Sequence, residues 1–432
     1  MNRIRNFTIG LFIAAAAACS AIAAPAPAPA PRPGNSQAPA PAPRPGNSAA
    51  PVPGNSSAPK PNPAAAMRDI MPEPPVINAK AWMLMDSETG RVLLGQNEHE
   101  RIYPASLTKM MTSYIIGQEI MAGRLHYDDQ VMISENAWSK KYSDSSKMFI
   151  KVGDTVSVKD LNYGIIIQSG NDACVAMAER IAGSQDAFAD LMNQWADYLG
   201  MKNTHFVNAH GLFDENHYST AYDLGILSRA LIRDEPDEYR IYSIKEFTFN
   251  KIKQYNRNRL LWDTSMEFDG IKTGHLSEVG YNLVASGLSK ENPGMRLIAV
   301  IIGAQSEKAR AQEAKKLMLY GYNFYRRFTP VKGKTALGTA RVYYGDTNEV
   351  QLGAAADISE VMPRNKGDSF QVEYTLKTND LKAPIKAGTE LGTITVKSGD
   401  EKVGEYPLVA LNEINECGFL GKIWDWFMHL FL

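Results

Sequence analysis

The sequence predicts an α/β domain followed by a small all-β domain and a C-terminal amphipathic helix. Three observations carry this reading. Apolar residues recur at helical spacing through the middle of the chain, and runs that read as strands stand before and after them. That order places the helices against one sheet. Beyond about Pro330 the texture changes to short alternating segments separated by Gly, Asn and Asp.

Taken in order, the first residues read as an export signal, 1–23. Arg3 and Arg5 form a basic start, and Ile9 to Ala18 an apolar run too short to span a bilayer. Ala21-Ile22-Ala23 fits a small-residue cleavage site, so cleavage is placed after Ala23. The rival reading acylates Cys19, although Ala16 stands where a lipoprotein signal usually carries a bulky aliphatic residue. Residues 24–75 are rich in Ala and Pro, with Pro-Gly-Asn-Ser recurring at 33–36, 45–48 and 53–56. Such a stretch has almost nothing to bury, so it reads as a disordered linker of extended, polyproline character.

The α/β domain is expected over 76–330. "AKAWMLMD" and "GRVLLGQ" flank Ser87-Glu88-Thr89-Gly90 as a β-hairpin. Helical patterns follow in "SLTKMMTSYIIGQEIMAG", "VKDLNYGIIIQ", "NDACVAMAERIAG" and "SQDAFADLMNQWADYLG". "STAYDLGILSRALIRD" adds another, with Ser219 or Thr220 as its N-cap. Strands return at "DGIKTG", "GYNLVASGL" and "MRLIAVIIGA", and "ARAQEAKKLMLYGYNFYRRF" closes the domain as a helix.

The all-β domain, 331–413, reads as a spacer without chemistry of its own. The last segment, 414–432, puts Lys422, Asp425 and His429 on one narrow stripe of a helix and leaves a wide face of Phe, Trp, Leu and Ile. A terminal helix of that kind, too short to span a bilayer, reads as an anchor lying in a membrane surface.

Composition narrows the function. A formal net charge of −1 over 432 residues gives no electrostatic case for nucleic acid. With Cys19 removed alongside the signal, Cys174 and Cys417 remain, and nothing suggests that they meet, so no structural disulfide is expected. His205, His210 and His217 lack the spacing of a helical zinc site, so neither a metal nor another cofactor is expected.

The chemistry centres on "PASLTKMMT", 104–112. Pro104 opens a helix, so Ser106 lies in its first turn and Lys109 stands on the same face. A lysine among apolar groups near a positive helix terminus is disfavoured in its charged form. Such an amine can take the proton of a serine hydroxyl, which is otherwise a poor nucleophile. The pattern alone is cheap: about two Ser-x-x-Lys matches are expected by chance in a chain this size. A second indeed stands at Ser57–Lys60, in the linker. Two further motifs raise its weight. Ser169-Gly170-Asn171 sits in a break between two apolar helical runs. Lys272-Thr273-Gly274 lies on a strand paired with "YNLVASG", where a cation, a hydroxyl and a glycine suit a peptide carboxylate alongside.

Ser-x-x-Lys, Ser-x-Asn and Lys-Thr-Gly in this order resemble the signature of penicillin-binding proteins and serine β-lactamases. The surrounding text, including "PASLTKMMTSYIIGQE", "IQSGNDACVAMAE", "NTHFVNAHGL" and "DGIKTGHLSEVGYNLVAS", resembles the D-alanyl-D-alanine carboxypeptidases of the penicillin-binding protein 5/6 group. The resemblance runs from about Val76 to the C-terminus, and only the Pro-rich linker departs from it.

It implies the penicillin-binding, β-lactamase-like serine hydrolase fold, an antiparallel sheet with helices. It also implies a serine carboxypeptidase acting on peptidoglycan stem peptides and acylated by β-lactams, on the periplasmic face of a bacterial inner membrane. By the same resemblance Ser106 is the nucleophile and Lys109 its base. Ser169 relays protons, Asn171 holds the substrate amide and Lys272 supports Ser169. Thr273 contacts the terminal carboxylate, Gly274 lets the strand come close, and the N–H groups of Ser106 and His275 form the oxyanion hole. Arg310 matches an arginine near that carboxylate. A β-lactamase, a cross-link endopeptidase and a non-catalytic wall scaffold remain as rivals at this point.

Overall fold

The structure, a computed structural model, describes residues 71–292, 294–366 and 370–419, and beyond them Gly421, Ile423, Asp425 and Phe427. The export signal over 1–23, Cys19, the linker up to residue 70 and the side chains of Lys422 and His429 lie outside the described residues.

Strands β1 (Ala81–Asp86), β2 (Val92–Gln96), β3 (Glu267–Leu276), β4 (Gly280–Leu288) and β5 (Arg296–Ala304) form one sheet in the order β2-β1-β5-β4-β3. Every neighbouring pair is antiparallel, with Leu84 opposite Ala299, Val300 opposite Val284 and Val284 opposite Lys272. β1, β4 and β5 are near-continuous apolar runs because both faces of the sheet are covered. Met83, Met85, Val300 and Ile302 face one core, while Trp82, Leu84, Leu297 and Ala299 face the other. β3 is an edge, so one side of its backbone is left for the site.

Helices α1 (Lys109–Met121), α2 (Val158–Tyr163), α3 (Asn171–Ala182), α4 (Gln185–Leu199) and α5 (Ala221–Asp234) come from the middle of the chain, as expected. α6 (Glu307–Phe324) packs Ala314, Leu317 and Met318 into the second core. Ser184, Thr220 and Ser306 each accept a backbone N–H from the first turn, which satisfies one orphan donor of the helix they open. Thr220, not Ser219, is the α5 cap; the Ser219 backbone instead bridges to Ile102.

α6 ends earlier than expected. Tyr325–Phe328, read as its last turn, instead opens strand β6 (Tyr325–Val331), and Pro330 within that strand cannot extend a helix. β6 pairs with a strand the sequence reading missed, Ile358–Pro363. Six further strands form a second sheet over Val350, Leu352, Ile394, Val396 and Leu408. Arg91, just before β2, ties the two parts together through Glu360 at 3.8 Å and Glu401 at 3.2 Å.

At the far end, Phe419, Gly421, Ile423, Asp425 and Phe427 have helical backbone. Asp425 is buried and accepts the Tyr344 N–H. Phe419, Ile423 and Phe427, one turn apart on the other side, are 79%, 51% and 52% exposed. No helix among the described residues is long and apolar enough to cross a membrane.

Candidate active site

Ser106 sits in a 3-10 turn, Ala105–Thr108, that leads directly into α1. The three-residue offset therefore stacks Lys109 under Ser106, and Lys109 Nζ donates to Ser106 Oγ at 2.9 Å. The same amine donates to Asn171 Oδ1 and to the His210 carbonyl, each at 2.7 Å. Lys109 is 1% exposed, whereas Ser106 opens partly to the cleft. Burial is the main influence on the amine and pulls it down to about 8, with Arg257 repelling its charge as well.

This partner set decides what the amine can do. An ammonium has three N–H donors, and all three are taken. A neutral amine keeps two, and the Asn171 and His210 carbonyl oxygens can only accept. The lone pair is then left facing Ser106, the one partner with a proton to give. Roughly a tenth of the amine is neutral at pH 7 from a value near 8.

The opposite wall is built by a kink. The chain after α2 continues as a π turn, Gly164–Gln168, and ends in Ser169 with φ 66°. A left-handed serine is strained, and strain of this kind gathers at functional sites. The kink turns Ser169 Oγ toward Lys272 Nζ, which donates to it at 2.9 Å. Lys272 is 3% exposed, and burial first, then Lys109 and Arg257, hold it well below the usual lysine value. Asn171 opens α3 as its first residue, with Gly170 at the cap position. One of its two amide N–H groups goes to Ser145 Oγ at 2.8 Å, which leaves one for a ligand.

The third wall is β3. A Cβ placed on Gly274 would lie 3.0 Å from the Pro104 carbonyl and 3.3 Å from Ser106 N, so glycine is what lets this edge close on the nucleophile's turn. Thr273 is buried at the same edge, and His275 is exposed over Tyr281. Arg310 reaches from α6 to donate to the Gly274 carbonyl at 3.0 Å; burial lowers it to about 10. A cleft of about 750 Å³ joins these walls and includes Ser106, Ser169, Asn171, Thr273, His275 and Arg310.

All nine residues singled out from the sequence, Lys109, Lys272 and Gly274 among them, thus meet at one place. Others were missed. The His210 carbonyl is one, because any residue type carries a carbonyl. Its loop depends on Gly211, at φ +84°, where a Cβ would fall 1.8 Å from the Ala105 carbonyl. Asp172 had a readable signal, an acid inside an apolar run. It accepts N–H bonds from Met148 and Phe149 and fixes the loop that presents Ser145. Arg257 joins Arg310 in the cleft, where it donates to Ser146 Oγ. His217 takes the Val207 N–H on Nδ1, so Nε2 carries the proton and donates to Thr108 Oγ1 at 2.7 Å. Burial lowers His210 to about 3 and His217 to about 4, so both are neutral rings. Cys174 and Cys417 are free thiols.

Comparison with known proteins gives the same answer. The D-alanyl-D-alanine carboxypeptidase family matches residues 68–306, and the penicillin-binding protein 5 C-terminal domain matches 325–416. The chain is 45% identical over 353 residues to D-alanyl-D-alanine carboxypeptidase DacA of Haemophilus influenzae, covering 82% of this chain and 89% of that one. It is 44% identical over 372 residues to DacC of Escherichia coli, covering 85% and 92%. The solved penicillin binding protein 5 of Haemophilus influenzae superposes with a TM-score of 0.75 at 44% identity, over 80% of this chain and 100% of that one. With one family matching residues 68–306, more than half of the chain, and the Ser106–Lys109, Ser169–Asn171 and Lys272–Gly274 groups meeting in one cleft, this chain belongs to the D-alanyl-D-alanine carboxypeptidases.

Proposed function

We propose that the protein removes the terminal D-alanine from peptidoglycan stem pentapeptides through an acyl-enzyme on Ser106. The observation that carries this reading is the Lys109 partner set, which leaves a neutral amine facing only the Ser106 hydroxyl. Ser106 Oγ attacks the carbonyl between the two alanines while its proton passes to Lys109 Nζ. The backbone N–H groups of Ser106 and His275 hold the oxyanion. Ser169, with Lys272 behind it, hands a proton to the departing amine, and free D-alanine leaves. Water then cleaves the ester and restores Ser106. Asn171 steadies the substrate amide, while Thr273 and Arg310 face the terminal carboxylate. A β-lactam presents the same kind of carbonyl and acylates Ser106 in its place.

The protein acts after export, on the periplasmic face of the inner membrane. Residues 1–23 supply the signal, 24–75 a spacer and 414–432 the contact with the membrane surface. The exposed Phe419, Ile423 and Phe427, opposite the docked Asp425, support that contact, because a helix of a water-facing protein would turn such a stripe inward.

The test is mass spectrometry of monomeric and cross-linked pentapeptide muropeptides after incubation with the protein and with Ser106→Ala. Loss of one alanine from monomers, absent with the variant, is expected. Cleavage of cross-links with pentapeptides left whole would contradict the reading and mark an endopeptidase.

A further inference from the structure

The loop 143–151 serves two cavities. Its first part, with Ser145 and Ser146, lines the catalytic cleft, while Phe149 and Lys151 line another, of about 810 Å³. Asp172 anchors the passage between them, because its carboxylate accepts the N–H groups of Met148 at 2.8 Å and Phe149 at 3.0 Å. Phe149 is left-handed, at φ 72°, an outlier for so bulky a residue. Its ring is thus held at the second cavity by the anchor that also orders the catalytic wall.

Two short antiparallel pairs supply the other walls. In Gln130–Met132 with Thr155–Ser157, Val131 and Val156 go to the core, so the alternation turns Gln130, Thr155 and Ser157 outward to the cavity. Glu246–Phe249 pairs with Ile252–Tyr255 and sets Phe249 opposite Ile252 at its tip. Phe249 stacks on Phe247 with ring centroids 6.4 Å apart, which fixes a second aromatic ring at this cavity.

The walls select a class of ligand. Lys151 stands with two carboxylates, Asp154 and Asp160, so the cavity does not favour an anion. The amide of Gln130 and the hydroxyls of Thr155 and Ser157 do not suit a purely apolar ligand either. Among the described residues, Lys151 Nζ and Thr155 Oγ1 have no hydrogen-bond partner in the protein, and both residues are exposed. Amide, hydroxyl and carboxylate groups beside two fixed aromatic rings match a sugar, which lays its C–H face on a ring and turns its hydroxyls to the polar groups.

We propose that this cavity binds a saccharide chain of N-acetylated aminosugars, with sugar rings against Phe149 and Phe249. Stem peptides are carried on such a chain, so the enzyme holds the polymer at one place while it trims a stem at another. The inference rests on the carboxypeptidase reading for the kind of saccharide, and adds a binding site outside the cleft.

The test is isothermal titration calorimetry of the full chain with tetra-N-acetylchitotetraose, an aminosugar chain without stem peptides. The titration is run before and after acylation by penicillin, which fills the catalytic cleft. Binding at millimolar saccharide or below, unchanged by acylation, is expected. The exposed double variant Lys151→Ala, Thr155→Ala should weaken it about tenfold, and Phe249→Ala by about as much. Thermal unfolding checks that each variant is folded, and the surface pair decides the matter if Phe249→Ala is not. No binding at millimolar saccharide, binding lost on acylation, or binding that the double variant leaves intact would overturn the site. D-alanine release from a soluble pentapeptide is measured on the same preparation. Its absence would overturn the carboxypeptidase reading, while the titration still decides the cavity.

Discussion

Lys109 shows how much chemistry a partner list contains. Two carbonyl oxygens hold two of its hydrogens, so deprotonation can expose the lone pair only toward Ser106. Burial holds the amine near 8, and on the proposed mechanism its neutral form is the active one. Acylation should therefore quicken about tenfold per pH unit below that value and level off above it. Stopped-flow measurement with a chromogenic β-lactam checks this. Lys109→Met should slow acylation by about 10²–10⁴-fold at pH 7 while leaving the fold intact, since it exchanges an amine for an apolar group of similar length. The residues with chemistry were legible because their spacing marked them: Ser106 to Lys109, Ser169 to Asn171, Lys272 to Gly274. What supports them was not. The His210 carbonyl leaves no mark in the sequence, and Ser145 looks like any loop serine until Asp172 pins its loop to α3.

At the level of elements, the site depends on places where regular structure is interrupted. Apolar periodicity located α1 to α5 well, because it reports which face is buried. It could not show that α2 runs on into a π turn, because Gly164–Gln168 is buried throughout and has no polar face to set a phase. It also ran past the end of α6, since "YRRF" suits a helix or a strand and is decided by pairing with Ile358–Pro363. Two substitutions separate fold from site. Thr220→Ala removes the α5 cap and should cost about 1 kcal/mol in urea unfolding, with acylation little changed. Gly211→Ala forces a left-handed alanine, about 1–2 kcal/mol by itself, and drives its Cβ into the Ala105 carbonyl. It should lower stability further and slow acylation too, because the His210 carbonyl moves with that loop.

For the molecule as a whole, the sequence showed two textures that the structure realises as two large sheets, the first between two cores and the second over a core of its own. It did not show how they are joined. Arg91 reaches Glu360 and Glu401 across 269 and 310 residues of chain, separations that no local pattern records. The tail is where Asp425, read as part of one narrow polar stripe, is buried against Tyr344 and leaves Phe419, Ile423 and Phe427 exposed. Deleting 418–432 should release the protein from vesicles without loss of D-alanine release in solution, as read by co-sedimentation. Membrane binding that persists would direct attention to Cys19. The most direct test of the central claim is intact-protein and peptide mass spectrometry of the penicillin adduct, timed across pH. The account predicts a single adduct on Ser106 whose rate of formation rises to a plateau with a midpoint near 8. An adduct on another residue, or a rate that is flat through that range, would contradict it.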